Sequence, residues 1–168
     1  AKVSEGDEEL YRKSLPMLTT YLYWFPGTFM LVERGIFHRS AHHYEEARED
    51  FEKALAENPA QPYALNGLSF VYKYQGNYEK ALIYIKKAIL YGQKEMSPII
   101  FVDMGNLYLL LGDYDRAAEA FLKYQEQAGK NVYSRAALGK ALAKTGRHAE
   151  AEALIRDAYL RRESIFDL

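Results

Sequence analysis

Histidine, with two ring nitrogens and a pKa near neutrality, is where chemistry would first be sought in this chain. Three of its four histidines cluster: His38 and His42 stand at i and i+4, His43 is adjacent, and Glu46 follows one turn on. On a helix, that spacing can turn two imidazoles toward one metal ion. The segment reads HRSAHH, however, so the glutamate that acts as general base in an H-E-x-x-H helix is missing. By the periodicity of the chain, His38 falls in a core slot and His42 in a turn, and no metal is expected. His148 takes the slot held elsewhere by Tyr44, Tyr78 and Tyr114, and is expected to pack as they do. There is no cysteine, phosphate loop, dinucleotide fingerprint or nucleophile elbow. Carboxylates mostly sit beside bases, as in Glu79-Lys80 and Asp115-Arg116, a pattern of solvated helix faces. Neither catalysis nor a bound cofactor is expected.

The bulk properties narrow the remaining classes. At 168 residues, with 49% hydrophobic and 27% charged content, the chain can bury a core and is not of disordered type. A net charge of -1 gives no global basic field for nucleic acid or an anionic membrane. The charge is uneven: residues 1–61 carry 7 bases against 11 acids, and residues 130–168 carry 8 against 5. The early apolar run Leu18 to Phe25 is much shorter than the roughly 20 residues that span a bilayer. It follows an acidic stretch, unlike a signal peptide, so no membrane insertion is expected. The absence of cysteine fits a cytosolic protein and equally well an exported one that does without disulfides; the cytoplasm is the favoured expectation, with a bacterial periplasm or cell envelope as the alternative.

The elements that position these residues are repeated. GNYEKALIYIKKAI, Gly76 to Ile89, returns as GDYDRAAEAFLKYQ, Gly112 to Gln125. Weaker copies, HHYEEAREDFEKAL from His42 and GRHAEAEALIRDAY from Gly146, put Ala47, Ala81, Ala117 and Ala151 in register at steps of 34, 36 and 34. Before each copy a second segment carries Gly35, Ser69, Gly105 or Gly139, and three residues later His38, Tyr72, Tyr108 or Leu142. Apolar spacing of three and four makes both segments amphipathic helices. Gly76, Gly112 and Gly146 punctuate the turn between them, and Ser97-Pro98 reads as an N-cap with Pro at the first helical position.

These residues resemble the tetratricopeptide repeat, with its W-x2-L-G-x2-Y…A-x3-F…P pattern over 34 residues. One copy reads L-x2-L-S-x2-Y…A-x3-I through Leu65, Leu68, Ser69, Tyr72, Ala81 and Ile85. Another reads F-x2-M-G-x2-Y…A-x3-F through Phe101, Met104, Gly105, Tyr108, Ala117 and Phe121. The resemblance covers four repeats at 28–61, 62–95, 98–131 and 132–165. It implies an all-α, right-handed superhelical solenoid of antiparallel helix pairs, residues 28–168, preceded by an extension or capping helix in 1–27. The first repeat departs from the pattern, with Arg34 and His38 in core slots and His42 at the turn glycine. The helical pattern in 7–25 runs through Leu10, Leu15, Leu18 and Leu22, with a break expected near Pro16; the segment either caps the first repeat or lies in a groove, its own or a neighbour's.

In that family the first helix of each pair lines a concave groove. The resemblance places Phe29, Val32, Glu33, Ile36 and Arg39 there, with Tyr63, Asn66, Phe70, Lys73 and Tyr74 from the second repeat. Ile99, Val102, Asp103, Asn106, Leu109 and Leu110 follow from the third, and Tyr133, Ala136, Lys140 and Lys144 from the fourth. Phe70, Tyr74, Val102, Leu109 and Tyr133 are expected to be partly exposed. Val32, Ile99 and Asp103 stand in slots where some members carry a carboxylate clamp, so the groove should prefer an apolar peptide or an amphipathic helix. The implied role is a non-enzymatic protein-binding scaffold, an assembly factor or chaperone among its forms; nucleic acid is not an expected partner. The alternative is a structural module that contacts neighbours through its ends, as a head-to-tail homo-oligomer. The acidic start, the basic end and the tail residues Ile165, Phe166 and Leu168 favour that alternative.

Overall fold

The computed structural model describes residues 5–92 and 96–166, with side chains for 8–92 and 96–160. Among the described residues there are nine helices and no strand. They are α1 (Glu5–Trp24), α2 (Thr28–Ser40), α3 (Tyr44–Glu57), α4 (Pro62–Tyr74), α5 (Tyr78–Gly92), α6 (Ile99–Leu110), α7 (Tyr114–Ala128), α8 (Val132–Lys144) and α9 (His148–Phe166). The pairs α2/α3, α4/α5, α6/α7 and α8/α9 pack side by side, at the positions the 34-residue step demands. Contacts group the chain into two units, Ala1–Met96 and Ser97–Leu168. The tail residues Ile165, Phe166 and Leu168 lie outside the described side chains.

In the first unit the core is built around Phe51 of α3, which is fully buried. Burying such a ring contributes roughly 1.5–3 kcal/mol. Its place depends on two glycines: a Cβ at Gly35 on α2 would come within 2.7 Å of the ring, and one at Gly67 on α4 within 2.4 Å. One aromatic side chain thus fastens its own pair to the first helix of the next. Gly105 repeats the device over Phe121 in the second unit, at 2.7 Å. The recurring alanines Ala47, Ala81, Ala117 and Ala151 are all buried, so no side chain holds neighbouring helices apart at those points.

The turns explain the glycines between paired helices. Gly76, Gly112 and Gly146 adopt φ of 78°, 77° and 81°, the left-handed region that costs glycine little. In the first repeat His42 holds the same place at φ 65° and hydrogen-bonds through Nδ1 to the Tyr44 hydroxyl at 2.8 Å. The turn geometry is kept although its usual residue is not.

Two local expectations are corrected. The third repeat's first helix begins at Ile99, with Pro98 at its N-cap and no side-chain cap from Ser97. The chain enters instead through short backbone bonds, Ile100 N–H to Ser97 O and Phe101 N–H to Pro98 O. Pro16 does not break α1, which runs through it. Pro16 and Arg12 are both exposed, so the carbonyl that Pro16 cannot bond lies on the solvated side.

Candidate functional site

Each unit has a face formed by the first helices of its pairs. In the first unit α2 and α4 lie against each other. Phe29 is 68% exposed, Tyr63 45% and Tyr74 54%, while Ile36, Arg39, Asn66, Phe70 and Lys73 are half-buried. These aromatic rings are organised. Phe70 and Tyr74 sit 4.7 Å apart, and Tyr74 stacks on Tyr44 at 4.9 Å. The Arg39 guanidinium lies 4.5 Å from the Phe70 ring centre and the Lys73 ammonium 4.7 Å from it. In the second unit Tyr133 of α8 is 54% exposed, and its hydroxyl accepts a 3.3 Å hydrogen bond from Asn106 of α6. Asp103 and Leu109 are half-buried, and Lys140 is exposed.

Val102 does not take part. It is 4% exposed, as Val32 is 3% exposed on α2, so neither offers surface to a ligand. α6 is apolar on most of its circumference and buries Ile100, Val102, Met104, Leu107 and Tyr108, while Ile99 and Leu110 stay half exposed. His148 also departs from expectation: it is exposed at the start of α9, whereas Tyr44, Tyr78 and Tyr114 are half-buried.

The clustered histidines take part in a polar network between α1, α2 and α3. Asp50 of α3 is 2% exposed and takes a two-pronged ion pair from Arg34, at 2.6 and 2.7 Å. His38 Nε2 stands 3.5 Å from the same carboxylate, and His38 Nδ1 is 2.7 Å from the hydroxyl of Tyr11 on α1. The Nε2–H tautomer suits both neighbours, leaving Nδ1 to accept from Tyr11. Burial lowers the His38 pKa below its ordinary value, against the Asp50 carboxylate that would raise it, so the ring stays neutral. Burial, with Glu46 and Glu8 nearby, raises the Tyr11 pKa and keeps its hydroxyl protonated. His43 stacks on the Tyr11 ring at 4.0 Å and reaches Glu8 at 3.3 Å. The network seats α1 on α2. Arg34 in a slot held elsewhere by Leu68, Met104 and Leu138 was its sequence signal, since a cation in a core slot requires a buried anion. The partner Asp50 is hidden among the many acids of α3.

Profiles of the tetratricopeptide repeat match residues 38–99 and 102–167, and the chain belongs to that family. Its all-α architecture is that of a tetratricopeptide-type superhelical solenoid, a scaffold for protein–protein contact. The solved structure of MamA is similar across 100% of both chains, with 17% identity and a TM-score of 0.82. A tetratricopeptide repeat protein from Parabacteroides merdae is similar over 91% of this chain and 59% of that one, at 20% identity and a TM-score of 0.69. At such identities the likeness concerns the fold. The human protein O-mannosyl-transferase TMTC2 is 32% identical over 126 residues, 68% of this chain and 15% of that protein. The chain thus corresponds to a small part of that relative. Among the described residues no helix is long and apolar enough to cross a membrane.

Proposed function

We propose that this protein is a non-enzymatic scaffold that holds an apolar peptide or amphipathic helix of a partner protein on its first-helix faces. The supporting observation is the exposure of Tyr63 and Tyr74, with half-buried Phe70, in one unit, and of Tyr133, with half-buried Leu109, in the other, on helices whose opposite sides are buried. Aromatic side chains exposed in rows of this kind are the usual anchors of protein interfaces. Service as an assembly factor or chaperone for a client segment fits the same surface. The test is Tyr74→Ala together with Leu109→Ala, one change in each unit. Binding of a partner recovered by pull-down should weaken by more than about 2 kcal/mol, because a few anchors dominate such interfaces. Helicity should not change. Undiminished binding by the double variant would move the contact to another surface.

A second reading is favoured by α1. Leu10, Met17, Tyr21 and Trp24 form one stripe at steps of seven, four and three, and each is more than half exposed. The side of α1 that packs on α2 carries Tyr11, Leu15, Leu18 and Leu22 instead. An apolar stripe with no helix on it suits a structural module that contacts its neighbours end to end, a second copy of this chain among them.

A further inference from the structure

We propose that the tip where α1 turns into α2 rests in the headgroup layer of a zwitterionic lipid surface, seated by Tyr21, Tyr23, Trp24, Phe25 and Phe29. This goes beyond the scaffold reading, because it concerns a different part of the first unit and a different class of partner. From Ser14 to Val32 the chain has no charged residue. Within that run the five rings are between 52% and 78% exposed. They pair locally: Tyr21 stacks on Phe25 at 6.2 Å, and Tyr23 meets Trp24 edge-on at 5.4 Å. Tyr23 and Phe29 lie off the α1 stripe, and Phe25 lies beyond its end, so the patch is broader than that stripe. The turn itself is Pro26-Gly27, with Gly27 at φ 149° and ψ 168°, a conformation kept almost entirely for glycine. A Cβ on Gly27 would meet nothing within 4 Å, so the turn is open to solvent. The rings therefore surround a projecting tip and do not line a groove. At about 200 Å² a ring, their open area is on the order of 600 Å², at the upper limit for an apolar patch on a free surface.

Composition and charge choose the occupant. Tyr and Trp join an apolar ring to one polar atom, the combination that gathers at membrane–water interfaces. Every charged residue of α1 lies at or before Lys13, about 12 Å from Tyr21 along the helix axis. The tip can thus enter an interface by roughly 5–10 Å while those charges stay in water. On the α2 side the nearest charges are acids: Glu57 accepts a 2.8 Å hydrogen bond from Thr28, and Glu33 follows Phe29 by one turn. The bases stand further back, at Lys13 and at Arg34, which is paired with Asp50. Attraction to an anionic membrane needs bases at the surface, and two acids there oppose it. A zwitterionic headgroup meets no such penalty, and its cationic end suits the negative faces of the rings. A protein partner would have to supply a hollow matched to five projecting rings, whereas a fluid surface needs no such match.

Trp24 is the one tryptophan of the chain and reports on the tip directly. Phosphatidylcholine vesicles should move its emission to shorter wavelengths. Vesicles with brominated acyl chains should quench it, since quenching requires contact with lipid, and the protein should float with them. Tyr23→Ser together with Phe25→Ser should lower the partition into vesicles at least about tenfold, with helicity intact. Ile83→Ser, on the exposed side of α5, should leave it unchanged. Adding phosphatidylglycerol should weaken binding at low salt, an effect that high salt removes. Emission indifferent to brominated lipid would overturn the proposal, as would undiminished partition of Y23S/F25S or a salt-sensitive preference for anionic vesicles. A shift that grows with protein concentration in the absence of lipid, and that brominated vesicles do not quench, would overturn it too and put a second copy of the chain on the tip.

Discussion

At His38 two opposing influences meet: burial favours the neutral ring, and Asp50 favours the charged one. Burial wins, because Arg34 already satisfies the Asp50 carboxylate at 2.6 Å. The folded protein therefore holds this ring more weakly protonated than the unfolded chain does, where the pKa is about 6.5. The sign follows from linkage: the contribution to stability is present above about pH 6.5, and is lost as pH falls below that through the lower folded value. Groups facing the ring from the packed helices are Tyr11 on α1, Arg34 on α2, and His43, Glu46 and Asp50 around α3. His38→Gln removes the titration while leaving an amide able to meet both Tyr11 and Asp50. Thermal melts between pH 5 and 8 should show the native protein losing more stability on acidification than this variant. Identical pH profiles would place the acid sensitivity in other groups.

The helix pairs carry the fold, and their spacing is set where a large ring meets a glycine. Replacing Gly67 with Ala inside α4 would gain about 1 kcal/mol of helix propensity. Yet the new methyl would stand 2.4 Å from Phe51, and overpacking of that kind costs about 1–3 kcal/mol. Gly67→Ala should therefore be neutral to destabilising despite its propensity, and Phe51→Leu should be less harmful in that background than alone. Additive melting shifts would mean that the ring moves aside freely. This level of structure was legible in the sequence because the helix, the turn and the small slot each recur in register. The Gly67 contact was not, since the recurring slot is Ser69 in that repeat and Gly67 lies outside the pattern. The polar seat of α1 was half legible: Arg34 and His38 stood out as departures, while Tyr11 and Asp50 had no periodic position to mark them. On the first-helix faces, helical phase separated exposed from buried residues except at Val102 and Val32, because phase gives a side chain's direction and not what packs over it.

At the scale of the molecule, two exposed apolar faces lie on helices at opposite ends of the sequence. One is the α1 stripe; the other, on α9, shows Ile155 at 46%, Tyr159 at 60% and Leu160 at 58% exposure. Around the first the sequence is acidic, with 7 bases against 11 acids in residues 1–61, and around the second basic, with 8 against 5 in residues 130–168. Unlike faces of opposite charge favour a head-to-tail contact over one between like ends, with a strength that salt reduces. The two geometries are separable by blocking one face at a time, with Met17→Gln and Trp24→Gln on α1, or Tyr159→Gln and Leu160→Gln on α9. In a head-to-tail assembly each variant alone should sediment as a monomer, since every contact needs both faces. An equimolar mixture should form a dimer that grows no further, because each variant keeps the face that the other has lost. Symmetric pairing through α1 predicts instead that the α9 variant still dimerises alone and that mixing adds nothing. Dissociation between low and high salt should accompany the head-to-tail form, and its absence at high micromolar concentration in low salt would leave the first-helix faces as the molecule's contact surface.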